Sequence, residues 1–300
     1  MKISPYFITS LLLSFVCNLT IAQQIEIDNN YSAEELVEKS FIQGCIEISN
    51  IKSSINGSIN NLGSFAYFEK GNSNFPFANG IMLSTGNATS GGNNLINETL
   101  NEGQTNWPTD PDLENALGIS GTLNATSIEF DIVAATNKIQ FNYIFASEEY
   151  YADFPCNYSD GFAFLIKESG SSDNYKNIAL IPTTNIPVNT NTIHNEVVGF
   201  CEAQNNQYFE GYNLGDTNFN GRTKELTAIA SVKPNTKYNI KLVIADQADK
   251  NYDSAVFIES NDFNPSVDLG PDIQTCASTV NLNGDIQNSE AVYSWFYNNI

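Results

Sequence analysis

The sequence predicts an all-β protein, a β-sandwich of jelly-roll-like antiparallel sheets with one or two short helices. Three observations lead there. The chain carries 19 Phe and 14 Tyr among many Val, Ile and Thr, residues that suit a pleated, half-buried surface. Several stretches place apolar side chains at the two-residue period of a strand. Between them stand polar turn signals drawn from 19 glycines and abundant asparagine. Many short strands joined by such turns imply two packed antiparallel sheets.

The first residues lie outside that fold. MKISPYFITSLLLSFVCNLTIAQQ has an early lysine, an apolar run from Tyr6 to Val16, and the small residues Thr20 and Ala22. This is the pattern of a secretory signal, with cleavage expected after Ala22. Cys17 follows Val16 rather than Gly or Ala, which argues against lipoprotein-type processing. No later stretch reaches the roughly 18 apolar residues of a membrane span. Ser32-Ala33-Glu34-Glu35 reads as a capping box, opening a helix to about Ser40 that turns Leu36, Val37 and Phe41 inward. Asp110-Pro111-Asp112-Leu113, then Gly118, marks a second helix with a cap, a proline in the first turn and a glycine past the end.

The strands follow. Ile128 to Ile132 alternates; Ile139, Phe141, Tyr143 and Phe145 share one face, as do Phe162, Phe164 and Ile166, and Tyr238, Ile240, Leu242 and Ile244. Turns are expected at Asn56-Gly57, Asn79-Gly80, Gly91-Gly92, Asn220-Gly221 and Lys233-Pro234-Asn235. Composition shifts near Phe263-Asn264-Pro265. Beyond it Val267, Leu269, Cys276, Leu282, Tyr293 and Trp295 look like the opening strands of an immunoglobulin-like repeat that stops at Ile300 before it can close. The expected organisation is a signal peptide at 1–22, a sandwich domain at 23–264 and a truncated repeat at 265–300, at the front of a longer protein.

With 34 acidic against 13 basic side chains, net charge −21, the field repels nucleic acid and anionic lipid and attracts cations. The acids are not spread evenly. FASEEYYADFPCNYSDGFAFLI, residues 145–166, places Glu148, Glu149, Asp153 and Asp160 between two strands. YNIKLVIADQADKNYDSAVFI, residues 238–258, repeats the arrangement with Asp246, Asp249 and Asp253. Two such corners folded side by side would supply the oxygen ligands a hard cation such as calcium takes. Unpaired, the same carboxylates would repel one another or take up protons. The expected ligands are Glu148, Asp160, Asp246 and Asp253, with Glu149 and Asp249 in reserve. Neither loop has the order of an EF-hand, and within one strand Glu148 and Glu149 would point to opposite faces.

Catalytic patterns are wanting. The single histidine, His194, reads as a surface or strand-edge residue; there is no G-x-S-x-G elbow, and zinc chemistry wants more His or Cys ligands. Ser84-Thr85-Gly86 and Ser90-Gly91-Gly92 are short enough to be turns. A pair such as Glu148 and Asp253 could flank a sugar as glycosidase carboxyls do, but no acid stands in a clearly apolar stretch, and the expectation is a non-enzyme. Cys45, Cys156, Cys201 and Cys276 remain after the leader, and four cysteines allow three full pairings.

Several of these pieces together resemble the choice-of-anchor L domain family. They are Phe145-Ala146-Ser147-Glu148-Glu149-Tyr150, Ser159-Asp160-Gly161-Phe162-Ala163-Phe164, Asn177-Ile178-Ala179-Leu180-Ile181-Pro182, Asn220-Gly221-Arg222-Thr223, and Ile244-Ala245-Asp246-Gln247 with Asp253-Ser254-Ala255-Val256-Phe257. Upstream, Phe75-Pro76-Phe77, Leu83-Ser84-Thr85-Gly86 and Asn124 to Phe130 fit as well, so the resemblance runs from about residue 36 to Phe263. It implies an extracellular β-rich domain at the front of a large bacterial surface protein, immunoglobulin-like or PKD-like repeats after VDLGPD, and anchoring through a C-terminal region absent here, such as a type IX sorting signal. It also implies a disulfide between Cys156 and Cys201, with Cys45 reduced and Cys276 in the next repeat. The family brings no assigned enzymatic activity. The function expected from the whole is an extracellular, calcium-stabilised binding or adhesion module, with an extracellular glycan or surface protein as partner. The alternatives are a carboxylate-dependent enzyme on extracellular polysaccharide, or a structural spacer.

Overall fold

The computed structural model describes residues 23–41, 47–53, 62–104 and 106–260, with isolated positions beyond. The signal peptide, the Asn56-Gly57 turn, Cys45, Cys276 and the immunoglobulin-like repeat lie outside the described residues.

The alternating stretches are strands, and they form two antiparallel sheets. Strands β1 (Glu26–Asp28), β3 (Phe65–Glu69), β4 (Asn79–Ser84), β13 (Ser254–Glu259), β6 (Lys138–Ser147), β10 (Gly221–Thr223) and β9 (Phe209–Tyr212) lie in that order, with β11 (Leu226–Ser231) also paired to β6. The second sheet runs β2 (Glu47–Ser53), β5 (Thr122–Val133), β12 (Lys237–Gln247), β7 (Gly161–Glu168) and β8 (Lys176–Asn177). Within them, β4-β13-β6-β11 faces β5-β12-β7-β8. After passing into and out of β2, the chain crosses between sheets from β4 to β5, β5 to β6, β6 to β7, β8 to β9, β11 to β12 and β12 to β13. That winding is the jelly roll.

The core between the sheets is built by the residues whose period gave the strands. Ile128, Phe130 and Ile132, Phe141, Tyr143 and Phe145, Phe162 and Phe164, and Ile240, Leu242 and Ile244 are all buried in it. Tyr143 packs on Phe164 with ring centroids 5.1 Å apart, and Phe162 on Phe164 at 4.9 Å, pairs each worth about 0.5–1.5 kcal/mol beyond their buried area. The first helix, α1 (Ala33–Phe41), brings Leu36, Val37 and Phe41 into this core. Its capping box is reciprocal: Glu35 N–H donates to Ser32 Oγ (3.2 Å) and Ser32 N–H to Glu35 Oε2 (2.8 Å). The second, α2 (Pro111–Leu117), starts at Asp110, whose side chain accepts from the N–H groups of Asp112 and Leu113, and stops at a left-handed Gly118.

The outer faces of the sheets carry apolar clusters too: Ile144, Ala146 and Phe257 bury a second cluster under the N-terminal segment, and Ala163, Leu165 and Val243 a third beneath α2. Central strands covered on both sides lose their alternation. Asn79-Gly80 is not a turn but the start of β4. Gly80 is required there because a Cβ would stand 1.9 Å from the Ile258 carbonyl oxygen on the paired strand. Gly221 likewise opens β10 instead of turning.

Candidate functional site

A jelly roll gathers alternate connections at one end, and register brings the two acidic corners together there. Ser147, the last residue of β6, pairs with Ser254, the first of β13; Gly161, the first of β7, pairs with Ala245 near the end of β12. Glu148 and Glu149 follow β6, Asp160 precedes β7, Asp246 is the penultimate residue of β12 and Asp253 precedes β13. Because β6 ends at Ser147, the strand rule that would have sent Glu148 and Glu149 to opposite faces no longer applies, and both turn inward. Glu148, Glu149, Asp160, Asp246 and Asp253 are each at most 5% exposed. Asp249 is different: it is exposed and caps its own turn, accepting from Asn251 N–H at 2.7 Å.

Each buried carboxylate is held by neutral donors. Asp253 accepts from Glu102 N–H at 3.0 and 3.1 Å. Asp246 Oδ2 accepts from Asn124 Nδ2 at 2.6 Å. Asp160 Oδ1 accepts from Gln247 N–H (3.3 Å), and its Oδ2 from Ser254 Oγ (2.5 Å), which also meets Ser147 Oγ at 2.8 Å. Glu149 Oε2 accepts from Asp160 N–H (3.2 Å) and Thr190 Oγ1 (3.1 Å). Glu148 Oε1 accepts from Leu100 N–H at 3.3 Å. Two oxygens are left over: Glu148 Oε2 and Asp246 Oδ1 are buried without a hydrogen-bond partner.

Among the described residues none of the five carboxylates forms an ion pair; the ion pairs lie elsewhere, at Lys52, Arg222, Lys233 and Lys241. Burial therefore dominates their proton affinity. It pushes Glu148 up to about 7, with the Asp253 charge adding to it. It also pushes Glu149 and Asp253 up to about 7. Burial and the neighbouring acids raise Asp160 and Asp246 well above the usual carboxylate range. The carboxylates are strung along the strand ends: among the described residues, no three His, Cys, Asp or Glu side chains close on one point in the manner of a metal cage. Chemically, the arrangement can hold protons, or it can take positive charge from outside the chain.

Sequence reasoning missed the third contributor, the connection between β4 and β5. Its Ser84-Thr85-Gly86, read as a turn, is the end of β4 and the bend after it, pressed against the cluster. A Cβ on Gly86 would stand 2.0 Å from Asp253 Oδ2, so only glycine lets that carboxylate in. Glu102 and Asn124 bring the donors described above, and Thr190 comes from the long connection after β8. The available signal was the small-residue run itself, Ser84 to Gly86, placed where a strand ends. His194 is buried rather than on the surface, its backbone bridged to Gln204 and its Nδ1 2.7 Å from the Asn195 carbonyl. The Cys156–Cys201 disulfide is present, with Cα atoms 5.8 Å apart, and ties the β6–β7 connection to the β8–β9 connection.

Fold and site define a jelly-roll module that concentrates unpaired acids at one loop end. The comparison with protein families is more particular. Residues 24–264 match the choice-of-anchor L domain, and the chain belongs to that family, a module of secreted or cell-surface bacterial proteins. No curated protein and no solved structure gives a significant match to it. Among the described residues no helix is long and apolar enough to cross a membrane.

Proposed function

We propose that the chain is an extracellular binding or adhesion module of a larger bacterial surface protein, whose loop end is stabilised by calcium. The observation that carries this is the buried, unpaired charge: five carboxylates, two of their oxygens without partners, and, among the described residues, no side-chain cation paired with them. Desolvating one carboxylate is costly. Desolvating five side by side without a counter-ion is tolerable only if protons or an external cation offset them. Calcium accepts six to eight oxygens, including carbonyl and hydroxyl oxygens as well as carboxylates, so acids spread along strand ends suit it better than they suit an ion that demands a tight cage. Asp246 Oδ1 and Glu148 Oε2 are the oxygens free to turn to it. Asp160 and Asp253 would join from the two corners, and Glu149 lies beside them.

Thermal unfolding of the exported protein in calcium, in magnesium and in chelator tests the metal. A ligand bound only by the folded state adds about 2.7 kcal/mol at 100 times its Kd. The expected result is a calcium-specific rise in midpoint that Asp160→Asn or Asp253→Asn abolishes; no shift in millimolar calcium overturns it. Binding is tested separately on a glycan array and in an adhesion assay, and silence in both with calcium present counts against the module reading. A second reading rests on Glu148, a carboxyl pushed to about 7 beside an open cleft, as a general acid on polysaccharide. Turnover lost in Glu148→Gln, with folding intact, would favour it.

A further inference from the structure

The long connection between β8 and β9 throws out a narrow ribbon. His194 bridges Gln204 and Val197 bridges Cys201, the latter pair exchanging N–H to carbonyl bonds at 3.0 and 3.1 Å. The arms turn at Val198-Gly199-Phe200, with Gly199 at φ 87°, a conformation that glycine adopts without strain. At that tip Val198 is 83% and Phe200 66% exposed, the two most exposed large apolar side chains among the described residues. We propose that this tip is a docking finger: Val198 and Phe200 enter an apolar pocket on a partner protein, and the rim of that pocket carries lysine or arginine. The proposal rests on the binding-module reading above and gives it a contact and a partner chemistry.

Single exposed apolar residues are ordinary on a protein surface. Two within three residues, on a turn whose base is fixed, are a different matter. Cys201 closes the turn and is bonded to Cys156 in the β6–β7 connection. Asn191 Nδ2 donates to the carbonyls of Pro155 (2.7 Å) and Tyr158 (2.8 Å) in that same connection, and the Tyr150 hydroxyl donates to the Ile193 carbonyl at 2.9 Å. The ribbon therefore meets a partner already ordered, which lowers the entropy cost of binding. A few anchors seated in pockets carry most of an interface's energy, and a projecting Phe on a fixed turn has the form of one.

The charge of the partner follows from what flanks the tip. The two bridges share one register, which sets Glu196 and Glu202 opposite each other on the two arms, and both are exposed. Like charges directly across a ribbon repel, and neither acid forms an ion pair among the described residues. A cationic rim relieves that repulsion as the tip goes in. A lipid surface suits the tip less well, because an anionic leaflet repels both the flanking acids and a chain of net charge −21. A second copy of the chain would bring the same acids against these, and like-charge juxtaposition suppresses that pairing.

The test selects binders to the exported protein from a displayed library of repeat proteins with a randomised concave face. The comparison forms are Phe200→Ser and the double variant Glu196→Gln with Glu202→Gln, all at exposed positions, with an unchanged unfolding midpoint as the check on folding. The expected binders set apolar residues within a ring of lysine or arginine. They should bind Phe200→Ser at least tenfold more weakly and the double variant severalfold more weakly, and weaken as salt is added. Binders that hold all three forms equally, or whose faces carry no basic rim, overturn the proposal, as does a library that yields none. Two further measurements can also overturn it. Binding to phosphatidylcholine vesicles, with or without phosphatidylglycerol, that Phe200→Ser abolishes would make the tip a membrane wedge. A dimer in sedimentation that the same variant dissolves would make it a self-contact. Calcium-dependent melting and the glycan array test the parent reading without the tip, so that reading is scored independently.

Discussion

Arg222 and Lys241 are buried and arrive with their counter-charges. Arg222 grips Asp216 with Nη1 at 2.7 Å and Nη2 at 3.0 Å, reaches Glu210 through Nε at 2.6 Å, and lies over Phe75 at 4.8 Å. Lys241 sits 2.7 Å from both Asp110 and Asp112. At the loop end Glu148, Glu149, Asp160, Asp246 and Asp253 are equally buried and, among the described residues, have no such partner. The chain thus balances these two buried cations with acids, and gathers five buried acids without a cation at the loop end. A further buried acid, Asp131, stands apart and is held by the neutral donors Asn50, Ser169 and Asn239. The contrast teaches that what is particular to the loop end is the crowding of its acids, which leaves room for a cation from solution.

pH should separate the two regions most strongly. In chelator, Glu148 and Glu149 titrate near 7 in the folded state against 4.5 unfolded, and Asp253 near 7 against 3.8. The folded state therefore binds more protons across that interval. The contribution is fully present below the unfolded values and is lost as pH rises through about 7. A tenfold difference in proton affinity is worth about 1.4 kcal/mol, so the summed loss is on the order of several kcal/mol. Unfolding midpoints should fall from pH 5 to 8 in chelator and hold level in saturating calcium; midpoints that climb in chelator would contradict the unbalanced cluster.

Arg222→Met attacks the balanced region. It strands Asp216, 3% exposed, and breaking a buried pair in this way costs about 3–5 kcal/mol. Denaturant unfolding should show the same loss with and without calcium. Next, Asp246→Asn and Asp216→Asn should differ in sign. In chelator at pH 8 the first relieves repulsion and raises stability, whereas the second lowers it. Equal signs would erase the distinction between the regions. The smallest effect is expected from Tyr143→Phe. The Tyr143 hydroxyl is buried in the core without a partner, a state that costs about 1–3 kcal/mol. Its removal should raise stability by up to about 1 kcal/mol, whatever the calcium concentration.

Much of this was legible because it is written in local chemistry. Strand period gave β6, β7 and β12, Ser32-to-Glu35 and Asp110-to-Gly118 gave both helices, and the paired acidic corners gave the five clustered carboxylates. What was not legible depends on neighbours distant in sequence. Asn79-Gly80 carries a turn's residues, but the Ile258 carbonyl across the ladder decides its role. Glu102 and Gly86 reach the cluster only because the jelly roll brings the β4–β5 connection to the same end, and Asn124 because it stands near the start of β5. The sequence placed Asp249 in the same loop as Asp246 and Asp253, and could not foresee that it would spend its carboxylate on the Asn251 N–H.

The direction of β13 has a mechanical consequence. Ser254 stands at the loop end and Glu259, paired with Gly80, at the opposite end, so β13 carries the chain to the far side of the sandwich. A partner held by the loops and a tether attached through the C-terminal side would pull along β13. That strand is hydrogen-bonded to β4 on one side and β6 on the other. Tension in that direction shears both ladders at once instead of opening them bond by bond, so the fold carries its load through a strand clamped on both sides.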